Sequence, residues 1–559
     1  MKSIITKFIL FALCGALLLV SNTVASKNKD SFYQKKQFYK QIVYLDQGWD
    51  EDIRAEFYQR TQGSRIMPYD WFLHLEQANR RKKLRNTRNI RRMGYLVDAP
   101  SATNPDGLPV GFARDVDPVK GDAIGLTCAA CHTGQLKYRG KSVRIDGGQS
   151  LGDIEKLQNG ILASLEATLT KRRKFNRFSK KILGNGANKS ARDELIKELE
   201  FYRDGMRGRI TRSKGLTPHG PGRTDAFTII GNEVACLLLD IPANCEPANA
   251  PTQFPFLWDT PFFEWVQYNS SVHSTLGRNV GEVTGVYAEA ELAEDGSVIS
   301  SANIDNLFRL EQLLKKLRSP VWPEDILGTI NPDLAAEGDV IFASECVNCH
   351  TENPQPLSKP NIFGETFEKV NFDTPLSELQ TDPMAALSFA TRRADPGVFL
   401  PAMEALGLVD PNDGTVAVPS LLSISGGSII KRFFTIENFS QAEQVEYLGF
   451  RESRSPTQAQ LSTYKARPLN GIAFTAPYLH NGSVASIYEL LLPPDKRLKK
   501  FHVGRKKYNP VKLGYSTRRG RNTMLLDTTV LGNSNSGHEF GTDLSHYERM
   551  AVIEYLKTL

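Results

Sequence analysis

The chain has 559 residues, 40% of them hydrophobic, and a formal charge of +7. That length corresponds to three or four domains' worth of chain. Outside the first twenty residues no apolar run approaches 18 residues, which excludes an integral membrane protein, and there is no low-complexity tract.

Lys2 and Lys7 precede an apolar run from Phe8 to Val20, followed by the small and polar stretch Ser21 to Ser26. Charge, a short apolar core and small residues make a secretory signal peptide over residues 1–26, cleaved near Ala25 or Ser26. Leu13 is too large for Cys14 to serve as a lipoprotein site. The mature chain is therefore expected to be periplasmic or secreted. Removal of Lys2 and Lys7 lowers the formal charge to +5. Two basic runs follow, Arg80 to Arg92 and Lys171 to Lys181. They read as solvated helix faces, or as a docking face for an acidic redox partner or an anionic cell surface. In a cytosolic protein such runs would suggest nucleic acid, which an exported chain rarely meets.

Cys128-Ala129-Ala130-Cys131-His132 and, later, Cys346-Val347-Asn348-Cys349-His350 are two copies of C-x-x-C-H. This is the attachment signature of c-type haem: two thioethers to the porphyrin and a proximal imidazole under the iron. A redox C-x-x-C or half a zinc site needs no His at that place. Two covalent haem c groups are therefore expected, with His132 and His350 as iron ligands. Of seven Cys, one leaves with the signal peptide and four carry haem. Cys236 and Cys245 remain, and in an oxidising compartment they are expected to pair.

Between the motifs, residues 151–213 read as amphipathic helices broken at Gly184-Asn185-Gly186. Residues 219–300, rich in Pro, Gly and aromatics, read as long ordered loops. Within them Phe254 to Tyr268 holds seven aromatics in fifteen residues. Trp258, Phe262 and Trp265 are candidates for an apolar pocket wall over a haem or for an electron path, with ordinary core as the alternative. Asn303 to Leu317 is a helix stopped by Pro320 and Pro323.

Gly338-x-x-x-Phe342-x-x-x-Cys346 resembles the first helix of a class I cytochrome c, and Tyr547 to Leu556 the terminal helix that packs across it. Before that last helix, Gly532 to Gly541 carries His538 among flexible residues and no Met. His538 is the first choice as second ligand of the His350 iron, with His480, His502 and His546 as competitors. For the His132 iron, Met67, Met93, Met206, His74, His219 and His273 lack a ligand context, which points to an open position. The organisation expected is mainly α, with little sheet, long loops and peripheral helices. It divides into an N-terminal haem c domain over 27–300, a linking helix over 301–330 and a C-terminal cytochrome c domain over 331–559.

Asn470-Gly471-Ile472-Ala473-Phe474-Thr475-Ala476-Pro477-Tyr478-Leu479-His480-Asn481-Gly482-Ser483 is similar to the signature of the dihaem cytochrome c peroxidase and MauG superfamily. Thr61 to Phe72, Asn104 to Phe112, Leu257 to Pro261 and Tyr488 to Pro494 make the chain look more specifically like the rubber oxygenase branch. The resemblance implies O2 binding at the N-terminal haem and two His ligands at the C-terminal one. In the signature loop Tyr478 and His480 can donate hydrogen bonds near a haem edge, and Arg467 can pair with a propionate. The expected activity is oxidative cleavage or dioxygenation of an apolar unsaturated small molecule or polymer, with a redox partner protein. The alternatives are a dihaem peroxidase reducing H2O2 and a two-haem electron carrier.

Overall fold

The computed structural model describes residues 42–350, 355–356, 362–364, 366, 368–369, 373–451 and 455–559. The expected signal peptide lies outside them. Helix accounts for 43% and strand for 14%, and the strands form only two- and three-stranded sheets. The expectation of a mainly α chain with little sheet holds at that level.

Two of the small sheets grip the first C-x-x-C-H motif. In one, β1 (Ile42–Tyr44) runs parallel to β6 (Lys141–Asp146), which pairs antiparallel with β5 (Thr133–Tyr138). In the other, β4 (Ala123–Leu126) lies between β2 (Met67–Pro68) and β3 (Phe112–Asp115). The chain leaves β4, makes the single helical turn Cys128–Cys131 and enters β5. Thr127 caps that turn by accepting from the Ala129 N–H. Helix α1 (Glu51–Gln59) packs beside it.

The predicted helical stretch forms three helices, α2 (Ile154–Thr170), α3 (Arg172–Leu183) and α4 (Lys189–Arg212), with the break at Gly184–Gly186. Their apolar positions recur at helical spacing and bury Leu157, Ile161 and Leu165 of α2 with Phe178 of α3 and Leu199 of α4. Residues 219–274 are loops and short turns except for one helical stretch that the sequence reading did not expect, Ala226–Gly231 continued by Asn232–Leu238, which buries Val234, Ala235 and Leu238; Cys236 within it is bonded to Cys245. The next segment differs from expectation: α5 (Thr275–Gly285) is a helix and Ala290–Leu292 pairs with Val298–Ser300. With three Gly and several β-branched residues, α5 has poor helical propensity. Its apolar residues Leu276, Val280 and Val283 are held in a core shared with α8 (Val418–Ile436). The helix predicted from Asn303 is α6 (Ile304–Leu314), capped by Asn303.

The largest core joins β5, β6 and α6 to α7 (Pro332–Glu345) and α9 (His546–Leu556). Helix α9 crosses α7 at Gly338, where an added Cβ would come 2.0 Å from the Ala551 carbonyl oxygen. One turn on, the Phe342 ring lies 5.1 Å from Tyr555. Both residues singled out from the sequence are therefore contacts of the crossing. No helix among the described residues is long and apolar enough to cross a membrane. Because backbone sits opposite Gly338, Gly338→Val should cost about 3 kcal/mol or more. Thermal and denaturant unfolding should show a lower midpoint than Val340→Ala, on the exposed side of the same helix.

Candidate functional site

Each C-x-x-C-H histidine is fixed by a backbone carbonyl. His132 Nδ1 lies 2.7 Å from the Pro255 oxygen and His350 Nδ1 lies 2.8 Å from the Arg467 oxygen. A carbonyl can only accept, so each Nδ1 carries the proton and each Nε2 presents a lone pair. Burial lowers both histidine pKa values, that of His132 to about 4. Both imidazoles are thus neutral, the form that binds a metal. Burial also pushes the thiols of Cys128, Cys131 and Cys346 up to about 12 and raises Cys349. A redox C-x-x-C requires the opposite, a stabilised thiolate.

Two cavities of similar size open at these histidines, about 1600 Å³ at His132 and about 1530 Å³ at His350 with their mouths included. The His350 cavity has Phe342, Val552 and Leu556 of the α7–α9 crossing on one side and Arg467, Tyr478, His480 and His538 elsewhere. The His538 ring faces His350 at 6.2 Å between centroids. Two imidazoles sharing one metal at about 2.0 Å per bond place their centres roughly 6 Å apart, so the pair fits two axial ligands of one iron. Burial lowers His538 to about 3, with His350 and Arg497 acting in the same direction.

Two of the three competitors lie away from the cavities. His502 contacts Thr523 and His546 contacts Tyr488, and neither lines either cavity. His480 lines the cavity but is stacked on Tyr464 at 4.0 Å, with its buried Nε2 lacking a hydrogen-bond partner. Tyr478 gives its hydroxyl to the Ile472 carbonyl within its own loop, at 3.3 Å.

The His538 loop is held by a residue that sequence reasoning missed. The buried Arg497 guanidinium donates to the carbonyls of Asn535 and Gly537, both at 2.7 Å, and of His538 at 3.0 Å. Gly537 has φ +69°, and an added Cβ would stand 2.2 Å from the Leu379 oxygen. His538 itself has φ 47°, a left-handed conformation costly for a side-chain-bearing residue. Arg497 and the 2.8 Å bond from the His538 N–H to Leu379 hold it there. An arginine among the Lys and Arg of a basic chain gives no sequence signal for this role.

The His132 cavity differs. Among the described residues lining it, no His other than His132 and no Met occurs. Phe254, Leu257, Phe263 and Val266 make an apolar side. The three aromatics named from the sequence are elsewhere. Trp258 is fully buried behind the wall, stacked on Phe256 at 4.4 Å, and donates to the Asn470 carbonyl. Phe262 lines a separate, smaller cleft, and Trp265 packs on His273 at 5.0 Å. The aromatic segment is irregular, so its composition did not say which rings turn inward. Nor is the cavity uniformly apolar. Helix α5 brings in Arg278 and Glu282; Glu282 accepts from Gln267 Nε2 at 3.0 Å, and Arg278 pairs with Glu311. Burial raises the Glu282 pKa, against the Arg278 charge that lowers it. Because α5 was not predicted, these polar groups could not be placed.

The cavities share one wall. Gln253, Phe254, Pro255, Tyr268, Lys465 and Arg467 line both. Arg467 Nη1 donates to the Phe256 carbonyl at 2.9 Å and its guanidinium lies 3.6 Å from the Phe256 ring centre. Among the described residues it meets no carboxylate, and its Nε is buried without a partner. Burial lowers Arg467 to about 10 and Lys465 well below its usual value. The buried Arg467 cation with its orphaned donor, and Lys465 beside it, lie between the two histidine cavities and suit the propionates of a haem. The donor set therefore fits the group.

His538→Ala should convert a low-spin signal to high spin in EPR and visible spectra, with the His132 site unchanged. Arg497→Ala, which leaves His538 in place, should give a partial version of the same change. A fully low-spin Arg497→Ala protein would show that the loop holds without it.

Comparison with known proteins is consistent with this chemistry. Residues 463–502, which supply Lys465, Arg467, Tyr478 and His480, match the family described as RoxA-like, cytochrome c-like. Uncharacterized protein y4iJ of Sinorhizobium fredii (strain NBRC 101917 / NGR234) is 34% identical over 574 aligned residues, covering 93% of each chain. Uncharacterized protein y4iM of the same strain is 34% identical over 86 residues, 15% of this chain and 20% of that one. The chain belongs to one family with the y4iJ protein, and its RoxA-like, cytochrome c-like segment implies covalently bound haem c.

Proposed function

We propose that the chain is an exported dihaem c-type oxidoreductase whose reactive site is at His132 and whose electron-transfer site is at His350. The observation that carries this reading is the asymmetry of the two cavities. One brings a second imidazole to 6.2 Å from its histidine, and the other is lined by no second His or Met among the described residues. Haem held at these residues would supply one-electron chemistry and, at His132, the binding of O2 or peroxide.

The chain's own residues do the rest. Cys128, Cys131, Cys346 and Cys349 anchor the two groups, and His132 and His350 orient them through the Pro255 and Arg467 carbonyls. Lys465 and Arg467 take carboxylates at the shared wall. Phe254, Leu257, Phe263 and Val266 exclude water and receive an apolar unsaturated substrate, since burying an unpaired charge there costs several kcal/mol. Export is supported by the charged, apolar and small-residue pattern of residues 1–26 and by the Cys236–Cys245 disulfide.

A specific observation favours peroxide reduction as the second reading. Glu282, in the His132 cavity and with its pKa raised by burial, can hold a proton at its carboxyl while Gln267 fixes its orientation. On that reading H2O2 consumption should fall as pH rises through the raised Glu282 pKa. Glu282→Gln should lower the rate about 100-fold or more and remove that pH dependence.

The deciding experiment begins with the denatured mass, which should exceed the polypeptide by two haems. A shift of one haem or none defeats the dihaem reading. O2 uptake is then followed with polyisoprene latex and unsaturated fatty acids, against H2O2 with a cytochrome donor. Carbonyl or hydroperoxide products with O2 uptake support the oxygenase. Rapid H2O2 consumption without O2 uptake establishes the peroxidase instead.

A further inference from the structure

The two basic runs are separate in sequence and adjacent in the fold. Residues 77–97 contain eight Lys and Arg, residues 171–192 contain nine, and neither stretch contains an Asp or Glu. Lys171 Nζ donates to the Ala78 carbonyl, and Lys174 Nζ to those of Gln77 and Arg80. The acid between them, Glu76, is buried and already paired with Lys174 and Arg177. Beneath the junction the Trp71 ring meets Phe178 at 5.7 Å. Arg81, Lys82, Arg88, Arg92, Arg172, Arg173, Lys180 and Lys181 are all exposed. None of them forms an ion pair with a carboxylate among the described residues. The fold thus gathers like charge that chain connectivity alone would have left dispersed.

We propose that this face, α3 together with residues 77–92, docks the protein on an anionic phospholipid surface. Four observations select that partner. No residue lining either histidine cavity belongs to the two segments, so a redox partner docked here would not abut a haem wall. None of the exposed large apolar residues lies in them either, so the face lacks the apolar centre of a protein interface. Its cations are long, solvated point charges rather than a set converging on a cavity, which suits a diffuse surface potential. The N-terminal leader pattern directs the chain away from nucleic acid. The inference does not depend on which oxygen chemistry the enzyme performs.

The test is co-sedimentation of the haem-loaded protein with vesicles of phosphatidylcholine alone or with about one-third phosphatidylglycerol. Each cation near such a surface contributes about fivefold to partitioning. Binding should require the anionic lipid and disappear at about 1 M salt, where the Debye length is about 3 Å. The variant Arg81→Glu/Lys82→Glu/Arg172→Glu/Arg173→Glu should partition at least about 100-fold less while keeping its haem spectrum and melting temperature. A control carries the same charge change on exposed residues elsewhere, Lys315→Glu/Lys316→Glu/Lys431→Glu/Lys499→Glu, and should bind as the parent does. Equal loss in the control would assign binding to net charge and overturn the proposal. So would failure to bind anionic vesicles, or displacement from them by a small excess of duplex DNA.

Discussion

The architecture of the site rests on one hydrogen-bonded strap. His132 donates to the Pro255 carbonyl, Arg467 donates to the carbonyl of the next residue, Phe256, and the Arg467 carbonyl receives His350. The Arg467–Phe256 bond ties two segments more than two hundred residues apart, and one histidine hangs from each side of the tie. The backbone threads between the cavities, so that Phe256 lines one and Leu257 lines the other. A shift of either histidine must therefore move the carbonyl that holds it and strain the segment facing the other cavity. In a close-packed interior such a strain is transmitted rather than absorbed. The strap also explains why the wall carries charge. Arg467 can be buried at this place because three of its five N–H donors meet fixed acceptors and its unpartnered Nε–H is left for an anion.

The same wall serves two unlike cavities because different elements complete them. On the His350 side the complement is local: the α7–α9 crossing and the loop of His538, both within the last 230 residues. On the His132 side it is assembled from α2, α4, the helical turn Ala226–Gly231, α5, α6 and the 252–268 loop. The first side places a second imidazole by forcing His538 into a left-handed conformation, which Arg497 sustains. The second side brings a carboxyl and an amide instead. A second imidazole in one cavity and an acid–amide pair in the other are thus consequences of which elements reach the wall.

How much of this the sequence disclosed follows from the range of each signal. The Cys and His of both motifs, the Gly338–Phe342 spacing, the break at Gly184–Gly186 and the His538 loop are local patterns, legible because chemistry or helix geometry fixes their spacing. Arg467 and His480 were legible through resemblance. Helix α5 was not, because three Gly and its β-branched residues conceal a helix that tertiary packing imposes. With it went Arg278 and Glu282. The aromatic stretch from 254 to 268 announced a dense region but not its facing. In the absence of a period, composition could not separate Phe254 and Phe263, which face the cavity, from Trp258, which stands behind it. Arg497 acts through backbone carbonyls, and carbonyls leave no trace in sequence.

The presence of Glu282 bears on the oxygen chemistry more than the count of apolar residues does. Scission of an unsaturated bond by O2 incorporates both oxygen atoms and needs no net proton, whereas reduction of peroxide to water consumes two. A carboxyl raised by burial and oriented by Gln267 is costly to retain in a cavity that has no use for a proton. Arg278 partly offsets that cost, and Arg278 is itself neutralised by Glu311 on its far side. Glu311, Arg278 and Glu282 alternate in sign from α6 to the cavity, and the neutral Gln267 amide closes the series. In an oxygenase this series keeps one polar edge on an otherwise apolar site, from which an apolar substrate is turned toward the aromatic side. In a peroxidase its terminal carboxyl is the proton donor. The two roles make opposite demands on charge: the first is met equally well by a neutral amide at position 282, and the second is not.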